Sequence, residues 1–161
     1  MAERRRELLA GLSGEVVEVG AGHGVNFAHY PAEVARVVAV EPEPRLREQA
    51  EAAAADAAVA VEVVSGVADR LPVADHGVDA VVFCLVLCSL PNVAAALAEA
   101  RRVLKPGGQI RFLEHGRADT RGLARAQAVL DATGGAARAG SPAHRRRRVE
   151  AGAGEPEGCG V

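Results

Sequence analysis

Large aromatic side chains are scarce in this sequence: no tryptophan, one tyrosine and three phenylalanines occur among 161 residues. Its apolar residues are mostly small, with 34 alanines and 23 valines. Because burying an alanine removes little apolar surface from water, the core must come from the valines and leucines, and valine favours strands. The composition therefore predicts one core built around a β-sheet, in a chain of single-domain length.

Cysteines are few, and long apolar runs are missing. Cys84, Cys88 and Cys159 do not suggest a disulfide framework. The Cys84–Cys88 pair has no second Cys or His pair at metal-ligand spacing. We find neither a signal-peptide core nor the ~18–20 apolar residues that a membrane span needs. The sequence therefore predicts a soluble, cytoplasmic protein without a metal site or stable membrane insertion.

The charges are nearly balanced, with a net charge of −2. This balance gives no general attraction to nucleic acid or to acidic membranes. Arginines form two clusters, Arg4–Arg6 and Arg145–Arg148. Because no aromatic residues alternate with these arginines for base stacking, we expect both clusters to be solvated and expect no nucleic-acid partner.

Strand-like and helix-like segments alternate along the chain. Strands are predicted at 15–19, 36–41, 59–64, 78–88 and 109–113, and helices at 26–30, 45–57, 91–104 and 119–131. Lys105–Gly108 has the composition of a helix C-cap. The alternation predicts an α/β fold of Rossmann-like type, an open and mostly parallel sheet flanked by helices.

A glycine loop follows the first predicted strand, in EVVEVGAGHG (15–24). Gly20, Gly22 and Gly24 give G-x-G-x-G, which differs from the dinucleotide pattern G-x-G-x-x-G, and no G-K-[ST] follows as in a P-loop. Glu41 ends the second predicted strand, 21 residues after Gly20, where an acid can accept hydrogen bonds from both hydroxyls of a ribose. A ligand-free turn and an ordinary loop acid are the alternatives. Together the two features predict a ligand that contains adenosine.

These segments resemble the class I S-adenosylmethionine-dependent methyltransferases. Within that family the chain is similar to the small-molecule group that includes the ubiquinone/menaquinone methyltransferases and the methyltransferase-like thiol methyltransferases. The resemblance covers residues 8–131 and rests on VVEVGAGHGVNFAHYP (16–31), VVAVEPEP (37–44), SGVADRLPVADHGVDAVV (65–82), FCLVLCSLPN (83–92) and EARRVLKPGGQIRFLEHG (99–116). It implies S-adenosylmethionine as the cofactor and a small molecule as the methyl acceptor.

The resemblance implies a role for individual residues at the methionine end of the cofactor. Glu18 would face the amino group, directly or through water. Gly20, Ala21 and Gly22 would let the backbone approach the cofactor, and Asn26 would lie near its carboxylate.

The resemblance also implies roles at the nucleoside end. Glu41 would hold the ribose, and Pro42 would flank the adenine. Ala68 and Asp69 would lie beside the adenine ring, and Cys84 would lie along the floor of the site.

A catalytic base is needed only if the acceptor must lose a proton. The candidate is His115, which follows the last predicted strand, and a structural histidine at that strand end is the alternative. Three functions stay open: a methyltransferase acting on a small molecule, a cofactor-binding remnant without turnover, and a nicotinamide-dependent oxidoreductase. The glycine spacing disfavours the last of these.

The composition changes abruptly after Asp131. We expect a methyltransferase domain at 1–131 and a low-complexity, disordered tail at 132–161. The resemblance implies a further helix and two strands at this point, so we expect the usual C-terminal strand pair to be missing. We therefore hypothesise a truncation or a change of reading frame, which would leave strand 109–113 as an uncovered edge.

Overall fold

Valine-rich segments form the strands, as expected for β-branched side chains on a pleated surface. The computed structural model describes residues 1–114. Its strands are β1 (Gly14–Val19), β2 (Val34–Val40), β3 (Ala60–Val64), β4 (Val78–Cys84) and β5 (Leu104–Leu113). Its helices are α1 (Ala2–Leu9), α2 (Pro44–Ala55) and α3 (Val93–Val103), and 3₁₀ turns occupy Phe27–His29 and Leu87–Ser89.

All strand pairs in this sheet are parallel, and the strand order is β3-β2-β1-β4-β5. Val17 of β1 lies opposite Val38 of β2 on one side and opposite Val81 of β4 on the other. The chain thus adds strands in one direction from β1 and then returns to add strands in the other. The Rossmann-like α/β prediction is confirmed, and β5 lies at an edge of the described sheet.

The core has two layers, one on each face of the sheet, because successive side chains of a strand point to opposite faces. Val17 and Val19 pack in the layer that contains α3, with Leu97 among its buried residues. Val16 packs in the layer that contains α1 and α2, with Leu9 among its buried residues. The predicted sheet-centred core is confirmed.

β4 is shorter than the predicted strand 78–88, because the backbone leaves the extended conformation after Cys84. Leu85 has a φ of 58°, a left-handed conformation that an extended strand does not allow. Its amide donates to the carbonyl oxygen of Leu113 at 2.6 Å, and the Leu87–Ser89 turn follows.

Lys105–Gly108 does not cap α3, so that prediction is wrong. Leu104 is already extended and begins β5, and the four residues bulge between the register pairs Val78–Leu104 and Ala80–Gln109. Asp79 lies opposite this bulge, where its Oδ2 atom accepts from Lys105 Nζ at 2.9 Å. This ion pair fixes the bulge to β4.

Among residues 1–114, no helix is long and apolar enough to cross a membrane. The predicted helix 119–131 and the predicted tail 132–161 lie outside the described residues.

Candidate active site

A cavity of about 490 Å³ opens at the carboxyl ends of β1, β2 and β4, and the strand order reverses between β1 and β4. Gly20 and Glu41 lie at its base, and the loops after β3 and β4 form its sides. In open α/β sheets, ligands bind in the crevice at this reversal point, and cavities of ~300–1,000 Å³ are typical of small-molecule sites. The position and size of this cavity therefore suit a small molecule.

The glycine loop adopts left-handed backbone conformations that favour glycine, with φ values of 69° at Gly20 and 59° at Gly22. A Cβ atom on Gly20 would overlap Cγ2 of Val86, so a side chain there would displace Val86. A Cβ atom on Gly22 would meet no heavy atom within 4 Å. Space beside Gly22 is therefore open to a ligand that lies against the backbone.

Glu41 is buried directly after β2 and is held in place by the backbone. Its Oε2 atom accepts from the Gly22 amide at 2.8 Å, and its Oε1 atom accepts from the Glu43 amide at 3.1 Å. Each carboxylate oxygen has a second lone pair, so Glu41 can still accept from a ligand. The glycine loop and the acid are thus one preorganised unit.

The loop after β4 gives the cavity an apolar side, formed by Leu85, Val86, Leu90 and Pro91. Glu114 fixes this loop, because its Oε1 atom accepts from the amides of Val86 and Leu87, both at 2.9 Å. This role of Glu114 could not be predicted from the sequence, because only the fold brings the end of β5 next to the end of β4.

The loop between β3 and β4, which forms the opposite side, is anchored to α3. Arg102 donates to Asp75 Oδ1 at 2.6 Å, to Glu99 Oε1 at 2.6 Å and to the carbonyl oxygen of Leu71 at 3.1 Å. Glu99 Oε1 also accepts from the Leu71 amide at 2.8 Å. These contacts hold the loop that carries the cavity residues Gly66–Asp69.

The structure divides the predicted site residues into two groups. Six line the cavity: Gly20, Gly22, Glu41, Pro42, Ala68 and Asp69. The other four, Glu18, Ala21, Asn26 and Cys84, are buried outside its lining. His115 lies outside the described residues, and no group of side chains suited to a metal ion occurs among residues 1–114.

Glu18 belongs to a buried polar cluster on the side of the sheet covered by α1. Its Oε1 atom accepts from Asn26 Nδ2 and its Oε2 atom accepts from the Tyr30 hydroxyl, both at 2.7 Å. Arg5 of α1 donates from Nη1 to Asn26 Oδ1 at 2.6 Å and to Cys84 Sγ at 3.2 Å. Arg5 and Tyr30 were not expected in this cluster, because no local pattern links either residue to Glu18.

Burial raises the pKa of the Glu18 carboxyl from 4.5 to about 7, although the hydrogen bonds from Tyr30 and Asn26 and the charge of Arg5 lower it. Burial and the neighbouring Glu18 hold the pKa of the Tyr30 hydroxyl well above its usual value. Arg5 is half-buried, so the prediction of a solvated Arg4–Arg6 cluster is wrong at this residue.

An open parallel sheet with a glycine loop and an acid at its reversal point defines a nucleoside-binding domain of the Rossmann-like class. Comparison with known proteins then gives the family. Residues 17–112 match the family model described as "Methyltransferase domain". The chain belongs to the class I S-adenosylmethionine-dependent methyltransferases.

Individual relatives agree with this assignment. Human thiol S-methyltransferase TMT1A is 39% identical over 126 residues, which cover 71% of this chain and 51% of the relative. The ubiquinone/menaquinone biosynthesis C-methyltransferase UbiE of Caulobacter vibrioides is 48% identical over 61 residues, which cover 38% of this chain and 24% of the relative. A crystal structure of a SAM-dependent methyltransferase from Thermotoga maritima matches with a TM-score of 0.56 and 29% identity, covering 69% of this chain and 50% of that one. The chain thus spans about half the length of the thiol methyltransferase that it matches.

The cavity fits S-adenosylmethionine, the cofactor of this family. The open space beside Gly22 gives a ligand access to the backbone, and Glu41 keeps lone pairs for a ribose diol. Leu85 and Leu90 add apolar surface to the same cavity.

Proposed function

We propose that this chain transfers the methyl group of S-adenosylmethionine to a small apolar acceptor that carries a thiol. The observation that supports this proposal best is the unit of Glu41 and the glycine loop at the reversal point of the sheet. It offers a buried carboxylate and an uncovered stretch of backbone to a nucleoside without phosphates. A pyrophosphate would instead favour a helix N-terminus after a longer glycine turn.

Bound S-adenosylmethionine supplies an activated methyl group on a positively charged sulfur. The residues of this chain contribute mainly by holding the reactants in line, which lowers a barrier through proximity and orientation. Glu41 would accept hydrogen bonds from the ribose hydroxyls, and Pro42 and Ala68 would lie beside the base. The apolar loop fixed by Glu114 would help to exclude water from the acceptor.

The apolar side of the cavity supports an apolar acceptor, and the similarity to a thiol S-methyltransferase supports a thiol. A thiol also needs less help from a base than a hydroxyl does, because a thiol of the cysteine type has a pKa of ~8.5 and a phenol ~10. In this reaction the acceptor sulfur gains the methyl group, its proton passes to solvent, and S-adenosylhomocysteine and a thioether are the products.

Two measurements test this proposal. Calorimetry with S-adenosylhomocysteine and with NADH decides the cofactor, and we expect binding of the first alone. Turnover with labelled S-adenosylmethionine then compares benzenethiol with phenol, two acceptors of the same shape, and we expect methylation of benzenethiol.

Three outcomes would contradict the proposal, and each would favour a different conclusion. Binding of NADH without S-adenosylhomocysteine would favour an oxidoreductase. Binding of S-adenosylhomocysteine without methylation of any thiol or phenol would favour a cofactor-binding domain without turnover. Methylation of phenol in preference to benzenethiol would contradict the acceptor class alone.

A further inference from the structure

Arg5, Asn26 and Glu18 form an ordered row of cation, amide and carboxylate that reaches from α1 to the end of β1. The Asn26 amide has one orientation in this row, because its Oδ1 atom accepts from Arg5 Nη1 at 2.6 Å while its Nδ2 atom donates to Glu18 Oε1 at 2.7 Å. A flipped amide would place its NH₂ group against the guanidinium, two donors facing each other. Arg5 therefore selects the amide orientation that donates to Glu18.

The row adjoins the cavity lining along the chain. Glu18 is followed by Val19, the last residue of β1, and then by Gly20, and both of these residues line the cavity. Cys84, the second acceptor of Arg5, is followed by Leu85, which also lines it. The row thus meets the cavity lining at the ends of β1 and β4, and neither Glu41 nor the loop after β3 contributes a hydrogen bond to it.

We propose that Arg5 is a positioning residue of the cofactor site: through Asn26 it orients the Glu18 carboxyl group, and it brings a positive charge into the cluster that adjoins the glycine loop. The proposal rests on the proposed function, in which a cofactor with an amino group and a sulfonium charge lies against this loop. An ionised Glu18 favours such a cation, and a protonated Glu18 does not. Helix α1 then belongs to the cofactor site as well as to the packing of the sheet.

Three side chains act on the pKa of the Glu18 carboxyl: Tyr30, Asn26 and Arg5. Arg5 faces it from α1 and lowers the pKa of its carboxyl, and Tyr30 and Asn26 lower it by donating hydrogen bonds. Cys84 faces the same cluster from β4, and burial raises the pKa of its thiol. With burial opposing these donors, the pKa of Glu18 is about 7, so a change at Arg5 alters its charge in the neutral range.

The first test needs no cofactor. In the full-length protein with ¹³C-labelled glutamate carboxyl groups, NMR gives the pH midpoint of Glu18, and the Glu18→Gln variant assigns its signal. Arg5→Met keeps the aliphatic stem and removes the cation and the donors. We expect it to raise the midpoint by roughly 0.5–1 unit, less than the ~1–3 units of a directly paired charge. Arg5→Lys should restore part of the shift.

Arg4→Met is the matched control, because it removes the same charge from an exposed position of the same helix. It should leave the midpoint unchanged. An unchanged midpoint in Arg5→Met, or an equal shift in Arg4→Met, would overturn the proposal. If Arg5→Met does not fold, the NMR signals of Arg5 Nη and Asn26 Nδ2 in the unaltered protein provide the test instead. Both signals should change with pH at the midpoint of Glu18. Signals that do not follow this midpoint would overturn the proposal.

The second test connects the row with the cofactor. Calorimetry with S-adenosylhomocysteine from pH 6 to 9 should show affinity that rises through the Glu18 midpoint, and Arg5→Met should move this rise to higher pH. An equal loss of affinity at every pH would indicate a merely structural role for Arg5. No binding by the unaltered protein at any pH would refute the proposed function, while the NMR midpoints would still decide whether Arg5 positions Glu18.

Discussion

Replacing Glu41 by alanine tests the central contact of the proposed site. The carboxylate is buried, it is held by the Gly22 and Glu43 amides, and both oxygens keep a lone pair for the ribose. Hydrogen bonds to a charged group contribute about 1.5–3 kcal/mol. Since every 1.4 kcal/mol is tenfold in affinity, Glu41→Ala should weaken the binding of S-adenosylhomocysteine about 10- to 150-fold.

The assay is calorimetry at pH 8, combined with urea unfolding to show that the variant is folded. The matched control is Glu48→Ala, which removes the same charge from an exposed position of α2 and should leave affinity unchanged. An affinity of folded Glu41→Ala within twofold of the unaltered protein would refute the ribose role. An equal loss in Glu48→Ala would show that the effect is one of net charge.

Three further predictions concern the glycine loop, Glu18 and Arg102. Gly20→Ala combines a left-handed alanine with a Cβ atom that overlaps Val86, and it should lower the unfolding free energy by about 2–5 kcal/mol. Gly22→Ala, whose Cβ atom meets nothing within 4 Å, should cost only the ~1–2 kcal/mol of its left-handed backbone but should weaken cofactor binding. Urea unfolding and calorimetry separate the two variants, and equal stability losses would contradict this account. Because the pKa of Glu18 rises from 4.5 to about 7 on folding, its contribution to stability is present below pH 4.5 and is lost as the pH rises through 7. The unfolding free energy should therefore fall by about 3 kcal/mol over this range relative to Glu18→Gln. Parallel pH profiles of the two proteins would be inconsistent with the raised pKa. Arg102→Ala should speed amide hydrogen exchange in the loop between β3 and β4. It should lower the unfolding free energy by only about 1 kcal/mol, because ion pairs of a partly exposed arginine are weakened by solvent. Unchanged exchange would show that the loop does not depend on Arg102.

Much of the fold could be predicted from the sequence, because its strands are runs of valine that a parallel sheet buries on both faces. Where the end of a strand differs from the predicted one, the observed end depends on contacts between segments that are distant in the sequence. The run FCLVLC has no residue that marks a strand end, and the end at Cys84 depends on the Leu85 amide reaching the carbonyl oxygen of Leu113. Helix α1 was not predicted, because AERRRELL is mostly charged; its two buried leucines hold it against the sheet.

The nucleoside end of the site could be predicted better than the methionine end. The glycine loop and Glu41 have a recognisable spacing, and the structure brings them together through one hydrogen bond between Gly22 and Glu41. The cluster around Glu18 depends on Arg5, which is 79 positions from Cys84, and no spacing in the sequence indicates such a contact. The individual roles of these residues toward the cofactor stay predictions.

A crystal structure of the full chain with S-adenosylhomocysteine tests the central claim most directly. We predict that the nucleoside occupies the cavity at the ends of β1 and β2, with both ribose hydroxyls donating to Glu41 and the backbone of Gly22 against the ligand. An empty cavity in the presence of saturating ligand, or a ligand bound away from Glu41, would contradict the account.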